Sequence, residues 1–252
     1  MFGTETTRFC GAIPSDPHKA FAASPHVASA YPPNFGIPCA KYSPWLNDQI
    51  GDCVSAEEAA AKDRDGVWIT DQALSTWVQK HGYTHGAQLT DVMDTMASVG
   101  IVAADGKLYH DGPYNSVDWT NKDALCSAIA SGQVKIAVSG GPRSQLQQKA
   151  FNRGVRFCTG WSRERDSDHC VGLPGYGTAQ YYADQFKVTV PSGIDPTAFG
   201  LWLFTWSEVV WIDHPSLCNI TTEAWLRIPT TPEAIPPTPP GPGPAPLPNP
   251  DL

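Results

Sequence analysis

What this chain lacks narrows it first. No run of about 18 apolar residues occurs, so no membrane-spanning helix and no membrane partner are expected. Basic residues are outnumbered, 17 Lys and Arg against 25 Asp and Glu, and the formal charge is -8. A nucleic-acid binder carries a basic stripe, so DNA and RNA are not expected partners. The seven cysteines, at 10, 39, 53, 126, 158, 170 and 218, contain no Cys-x-x-Cys pair. That argues against a zinc ribbon or a thioredoxin-type redox pair. His81 and His85 stand four apart, but Gly82 and Gly86 break the helix that would align them on a metal. The turn Ser139-Gly140-Gly141-Pro142-Arg143 lacks the Lys-Ser/Thr of a phosphate loop. Asp166 and Asp168 read as a solvated acidic loop rather than a cation site. No metal and no cofactor are expected. The opening Met1-Phe2-Gly3-Thr4-Glu5 lacks the basic and apolar regions of a secretory signal, which suggests a cytoplasmic or virion-associated protein.

The rest of the composition is globular, with 41% hydrophobic and 17% charged residues and nine Trp to fill a core. Two readings of the cysteines remain open: reduced, mostly buried thiols, or a few disulfides plus one nucleophile, since the count is odd. Three regions are legible. Residues 1–44 form a proline-punctuated lead-in that should wrap a domain in extended conformation. Residues 45–228 carry the domain. Residues 229–252 contain 11 prolines and no Lys or Arg, the composition of a polyproline-II-rich tail.

Within the domain, helices come first. Residues 53–64 are alanine-rich. Thr70 can cap a second helix with Ala73, Leu74, Trp77 and Val78 as its apolar stripe and Gly82 as its end. Thr90 and Gly100 bracket a third with Val92, Met93 and Met96 inward. Thr120 and Asp123 make a capping-box-like start to a fourth, which carries Leu125 and Ile129 and stops at Gly132. Strand-like segments follow at 134–139, 154–159, 169–176, 186–190 and 200–212. Helices before strands imply an α+β fold with segregated layers and a cleft between them as the natural site.

Cys53 opens the alanine-rich helix after the polar turn Asn47-Asp48-Gln49-Ile50-Gly51-Asp52. A thiol of ordinary pKa is only about 3% thiolate at pH 7. A helix N-terminus favours the anion, and turn N–H groups there can hold an oxyanion. Asp48 and Asp52 oppose it. His169 sits where the polar Asp166-Ser167-Asp168 enters an apolar strand, a place for a general base held by a sheet.

Together the two segments resemble a known family. Gln49-Ile50-Gly51-Asp52-Cys53, followed 116 residues later by Asp168-His169-Cys170-Val171-Gly172-Leu173-Pro174-Gly175-Tyr176-Gly177, is similar to the papain-like cysteine peptidases. Their pattern is a Gln–Gly–Cys helix start and a later Asp-His-Ala-Val…Gly-Tyr-Gly strand. Gly112-Pro113-Tyr114 resembles their Tyr-Pro-Tyr turn, and residues 125–138 resemble their helix leading into Gly-Pro-Val-Ser-Val-Ala. The Asn-Asp-Gln-x-Gly-Asp-Cys and Phe-Thr-Trp phrases look most like uncharacterised papain-fold proteins of bacteria and their phages. The resemblance implies a helical half, an antiparallel sheet or barrel half, and a cleft between them. It implies Cys53 as nucleophile, His169 as base, and a peptide or amide substrate cleaved through a thioester.

Two departures stand out. The family's oxyanion Gln lies six residues before the cysteine, whereas Gln49 lies four before it and Asn47 holds the six-residue spacing. Gln49 is preferred for its reach and its Gln-x-Gly context, with Asn47 as the alternative. The family also places an Asn two residues before a Trp to orient the histidine, and Phe204 occupies that position here. Thr205, Ser207 and Asp213 are the candidate replacements. The loss of that Asn motivates a second reading, a catalytically weak or inactive scaffold in a larger, phage-type assembly whose subunits hold the proline tail.

Overall fold

The computed structural model describes residues 11–139, 156–163 and 169–230. Expectations for Cys10, for the turn beyond Ser139, for Asp166 and Asp168 and for the tail beyond Thr230 lie outside these. The lead-in contributes β1 (Ala12–Ile13), α1 (Pro17–Ala22) and β2 (Phe35–Gly36). Next come α2 (Cys53–Arg64), α3 (Asp71–His81), β3 (Ala87–Gln88), α4 (Leu89–Ser98), β4 (Ile101–Val102), β5 (Leu108–Tyr109), β6 (Asp111–Ser116) and α5 (Lys122–Ser131). The sheet half follows with β7 (Gln133–Val138), β8 (Phe157–Cys158), β9 (His169–Thr178), α6 (Ala179–Phe186), β10 (Phe199–Thr205), β11 (Glu208–Asp213), α7 (His214–Ile220) and β12 (Thr221–Pro229).

The order is α+β: helices, then a sheet running β6-β12-β7-β9-β10-β11-β8, with β2 paired to β9 off that path. Its pairs are antiparallel except β11 with β8. The lead-in lies against both halves, since β1 pairs with β3, and β2 with β9. Among the described residues, no helix is long and apolar enough to cross a membrane.

Local chemistry explains most boundaries. Thr70 caps α3 by accepting from the Ala73 N–H at 3.1 Å, and Gly82 ends it at φ +78°, where a Cβ would be strained. Other ends differ from expectation. α4 starts at Leu89, with Thr90 buried inside it, because the extended Gln88 closes β3 first. Asn121, not Thr120, caps α5; its side-chain Oδ1 accepts from the Asp123 and Ala124 N–H groups, and the Thr120 hydroxyl donates to Asp118. Residues 186–190 are not a strand. Phe186 ends α6, and Lys187 turns left-handed at φ 55°. The segment 200–212 is a hairpin, broken at Trp206 and Ser207, both at positive φ. β12, wedged between β6 and β7, was not legible, because Thr221-Thr222-Glu223 blurs its alternation.

α2 is the unusual element. All twelve of its residues are buried, including Glu57, Glu58, Lys62, Asp63 and Arg64. A helix enclosed on every side usually carries apolar residues, and a buried charge is costly unless paired. The sheet supplies the partners. Lys135 on β7 bonds Glu58 and the Val54 carbonyl and lies 3.2 Å from Glu57. Asp111 Oδ1 takes Lys62 Nζ and Arg227 Nη1, each at 2.7 Å. Arg64 donates to Gln133 Oε1 at 2.8 Å and to the Ile129 carbonyl at 3.1 Å. Burial pushes Glu58 up to about 7 against the pull of Lys135. Burial also works on Asp111, but Arg227 and Lys62 overcome it and hold that carboxyl well below its usual range.

Seating α2 requires small residues below it. A Cβ on Gly172 of β9 would meet Gln133 Nε2 at 2.6 Å and Glu57 Oε1 at 2.9 Å. Removing Lys135 alone strands two buried carboxylates. Lys135→Met is therefore expected to cost about 3–5 kcal/mol of unfolding free energy, read by urea denaturation at pH 7.

Candidate functional site

The N-terminus of α2 meets the start of β9 and the end of β10, and a crevice of about 10 Å³ lies at their junction. Its lining includes Asn47, Cys53, Glu57, His169, Cys170, Thr205 and Trp206. The two residues singled out from sequence, 116 positions apart, thus share one wall-to-wall space. That space has room for roughly one water. A larger groove of about 470 Å³, lined by Trp77, Lys80, Val99 and Val102 among others, includes neither Cys53 nor His169, so size is a poor guide to chemistry here.

Cys53 is the first residue of α2 and is 2% exposed. Cys39, Cys53, Cys126, Cys158, Cys170 and Cys218 are all thiols, which favours the reduced reading for the described residues. His169 opens β9, and register with β7 sets it opposite Val138. Its Nε2 lies 2.7 Å from Thr205 Oγ1. Trp206 covers the ring in near-parallel contact, with centroids 4.1 Å apart and planes at 12°.

Two strained turns frame the crevice. Trp45 and Leu46 have φ of 46° and 69°, and Trp206 and Ser207 have 46° and 67°. Left-handed backbone costs a residue with a side chain roughly 1–2 kcal/mol. Packing compensates at Trp45, which is fully buried, with Nε1 donating to the Ile69 carbonyl at 2.8 Å.

The turn separates the two oxyanion candidates. Asn47 is 3% exposed and lines the crevice, and its Nδ2 makes a long 3.4 Å bond to the Ile50 carbonyl. Gln49 is exposed; only its backbone is engaged locally, N–H to the Leu46 carbonyl at 2.7 Å. The orienter candidates separate as well. Thr205 reaches the ring, whereas Asp213 caps α7 by accepting from the Ser216 N–H at 2.6 Å. Ser207 sits in the hairpin turn, and Phe204 packs against Tyr42 and Trp45.

Sequence reasoning missed Glu57, Cys170 and the stacking by Trp206. Glu57 was foreseeable from its i,i+4 spacing to Cys53; the other two depend on which way strands face. Among the described residues no group of three or more His, Cys, Asp or Glu is placed to hold a metal ion.

These elements can be set beside known proteins. No protein-family model matches the sequence, and no curated protein sequence matches it. Solved structures do. Xylellain, a cysteine protease from Xylella fastidiosa, superposes with a TM-score of 0.60 over 92% of this chain and 100% of its own, at 12% identity. The fold is papain-like. Procathepsin L2 from Tenebrio molitor larval midgut gives 0.59 over 88% of this chain and 78% of its own, at 14% identity. The Carica candamarcensis cysteine protease CMS1MS2, solved in complex with E-64, gives 0.53 over 78% and 98%, also at 14% identity. In this papain-like chain the crevice lies where the helical half abuts the sheet.

Asp52 immediately precedes the thiol and is 1% exposed. Burial pushes its carboxyl up to about 7, with the Asn47 amide pulling the other way. Its negative charge beside Cys53 is thereby muted at neutral pH. The folded value lies above the unfolded 3.8, so ionising Asp52 costs stability, beginning near pH 4 and complete above about pH 7. Asp52 is the N-cap residue of α2 but its side chain makes no cap hydrogen bond, so Asp52→Asn removes the charge without removing a cap. It should raise the unfolding free energy at pH 8 by about 2–4 kcal/mol and change it little at pH 4, measured by denaturant titration at both pH values.

Proposed function

We propose that this protein is a thiol-dependent hydrolase of peptide or amide bonds, with Cys53 as nucleophile and His169 as its base. The observation that carries the reading is the shared crevice, with thiol at a helix start and imidazole at a strand start, the imidazole tethered through Nε2 to Thr205. With Nε2 occupied by a hydroxyl, Nδ1 is the nitrogen that takes the sulfur's proton. The thiolate attacks the carbonyl carbon, and His169 returns the proton to the leaving amine. Water, deprotonated by the same ring, then releases the acyl group from its thioester.

The oxyanion is assigned to the Cys53 backbone N–H and the Asn47 amide. Asn47 is preferred to Gln49 because it is buried and lines the crevice, whereas Gln49 is exposed. Thr205 is assigned the orienting role. Its hydroxyl accepts from an Nε2–H and also donates to a bare Nε2, so it holds the ring without selecting one tautomer. An orienting amide carbonyl would select one, and a slower enzyme than an Asn-bearing one is the consequence. A crevice of about 10 Å³ leaves the acyl chain to lie across its mouth.

The same narrowness and the missing Asn favour the second reading, an inactive scaffold within a larger assembly. Thiol chemistry separates the two. Iodoacetamide or an E-64-type epoxide should modify Cys53 at least about 10-fold faster than Cys218, and Cys53→Ala should abolish that fast phase. Cys218 is a suitable reference, because it is partly exposed while burial and Asp118 push its thiol up. Equal rates at the two thiols, followed by peptide mapping, would exclude the hydrolase. Thr205→Val removes the tether and should slow alkylation of Cys53 about 10-fold or more, with unfolding free energy changed by less than about 2 kcal/mol.

A further inference from the structure

A second thiol stands beside the proposed nucleophile. Cys170 follows His169 on β9, is 3% exposed and lines the crevice with Cys53. The papain-like phrase that Asp168-His169-Cys170-Val171 resembles has alanine there, so the sulfur is this chain's own. The two cysteines line the same crevice and pack in the same core cluster. Glu57 lies one helical turn, about 6 Å, beyond Cys53. Its carboxylate sits 2.9 Å from where a Cβ on Gly172 would stand. Gly172 lies two residues, about 7 Å, beyond Cys170 on the same strand face. Similar steps back along the two elements lead from that contact to Cys53 and Cys170, which line one crevice and feel each other's charge. Ala56 lines the crevice too, and Gly172 leaves room for Glu57 against β9. Burial pushes the Cys170 thiol well up, Lys135 pulls it down, and Glu57, Cys53 and Glu58 add to the rise, so Cys170 is held as a protonated thiol.

We propose that Cys170 is a resolving thiol, which forms a disulfide with Cys53 after a hydroperoxide oxidises the nucleophile and so switches the site off reversibly. The proposal rests on the reading of Cys53 as a reactive thiolate. In the first step the Cys53 sulfur attacks the terminal peroxide oxygen and the O–O bond breaks. Sulfur is oxidised to sulfenic acid, and the peroxide is reduced to water or an alcohol, taking the proton that His169 removed from the thiol. In the second step the Cys170 sulfur attacks the sulfenic sulfur. The S–S bond forms, the S–O bond breaks, and the hydroxyl leaves as water with the Cys170 proton. Two thiols have lost two electrons and one peroxide has gained them. Resolution by a neighbouring thiol spares Cys53 a second oxidation to sulfinic acid, and a dithiol reductant restores both residues.

The full chain is treated with one equivalent of hydrogen peroxide in the presence of dimedone, a sulfenic-acid trap, and its peptides are mapped without reduction. Expected in the wild type is a cross-linked pair of peptides carrying Cys53 and Cys170, short of two hydrogens, which dithiothreitol separates. Cys170→Ala should instead accumulate the dimedone adduct on Cys53. A dimedone adduct or sulfinic acid on wild-type Cys53 without the cross-link would overturn the proposal, and needs no variant to fold. Iodoacetamide labelling of the untreated protein distinguishes the failures. Fast Cys53 alkylation with no cross-link sinks only the disulfide, whereas slow alkylation and no oxidation at Cys53 sinks the hydrolase reading with it.

Discussion

A helix enclosed on all sides and carrying charge on several of them is the constraint on which this molecule turns. α2 presents Glu57, Glu58 and Lys62 to the interior, and the sheet answers with Lys135, Asp111 and Arg227. Breaking one partner leaves another buried charge with less compensation, so the helix has little freedom to slide or rotate. Its N-terminus is consequently fixed against the start of β9, and that fixes Cys53 against the wall that carries His169 and Cys170. The thiol proposed as nucleophile would have to hold its place to within a fraction of an ångström, and a directional ionic lock does this better than apolar packing, which permits sliding.

The crevice itself is assembled from pieces under tension. Two tryptophans in left-handed backbone, Trp45 and Trp206, line it from opposite turns. Strain of this kind persists only where the surroundings over-determine it, and it gathers at functional sites. Trp206 lies against the imidazole face, and Thr205 holds the imidazole edge. Adjacent residues at one strand end thus set both the plane and the rotation of a single ring. The side chain next to His169 brings a second thiol to the same crevice, and the residue before Cys53 carries a partly neutral carboxyl. A site with one water's worth of space is governed by such neighbours more than by bulk solvent.

Much of this was legible in the residues. Alanine content gave α2, and threonine and glycine gave both ends of α3, because helix propensity and capping are local. That Cys53 and His169 come to one crevice was also legible, through the resemblance of the segments around them. Other features failed for physical reasons. Phe186-Lys187-Val188-Thr189-Val190 has strand composition, but Thr178 caps a helix just before it and Lys187 ends that helix left-handed, leaving no partner strand. β12 is central, yet a strand buried on both faces need not alternate, and its Arg227 reads as surface until Asp111 is seen beside it.

The sequence alone determined the order of helices and strands, the thiol at a helix start and the imidazole at a strand start, since each rests on contacts between near neighbours in the chain. Only the tertiary structure decided that Asn47 faces the crevice while Gln49 faces water, that Thr205 reaches the ring while Asp213 caps a helix, and that Cys170 shares the wall with Cys53. Those outcomes depend on which face of an element turns inward. Strand register and the burial of α2's charges set that, and both are properties of partners far away in sequence.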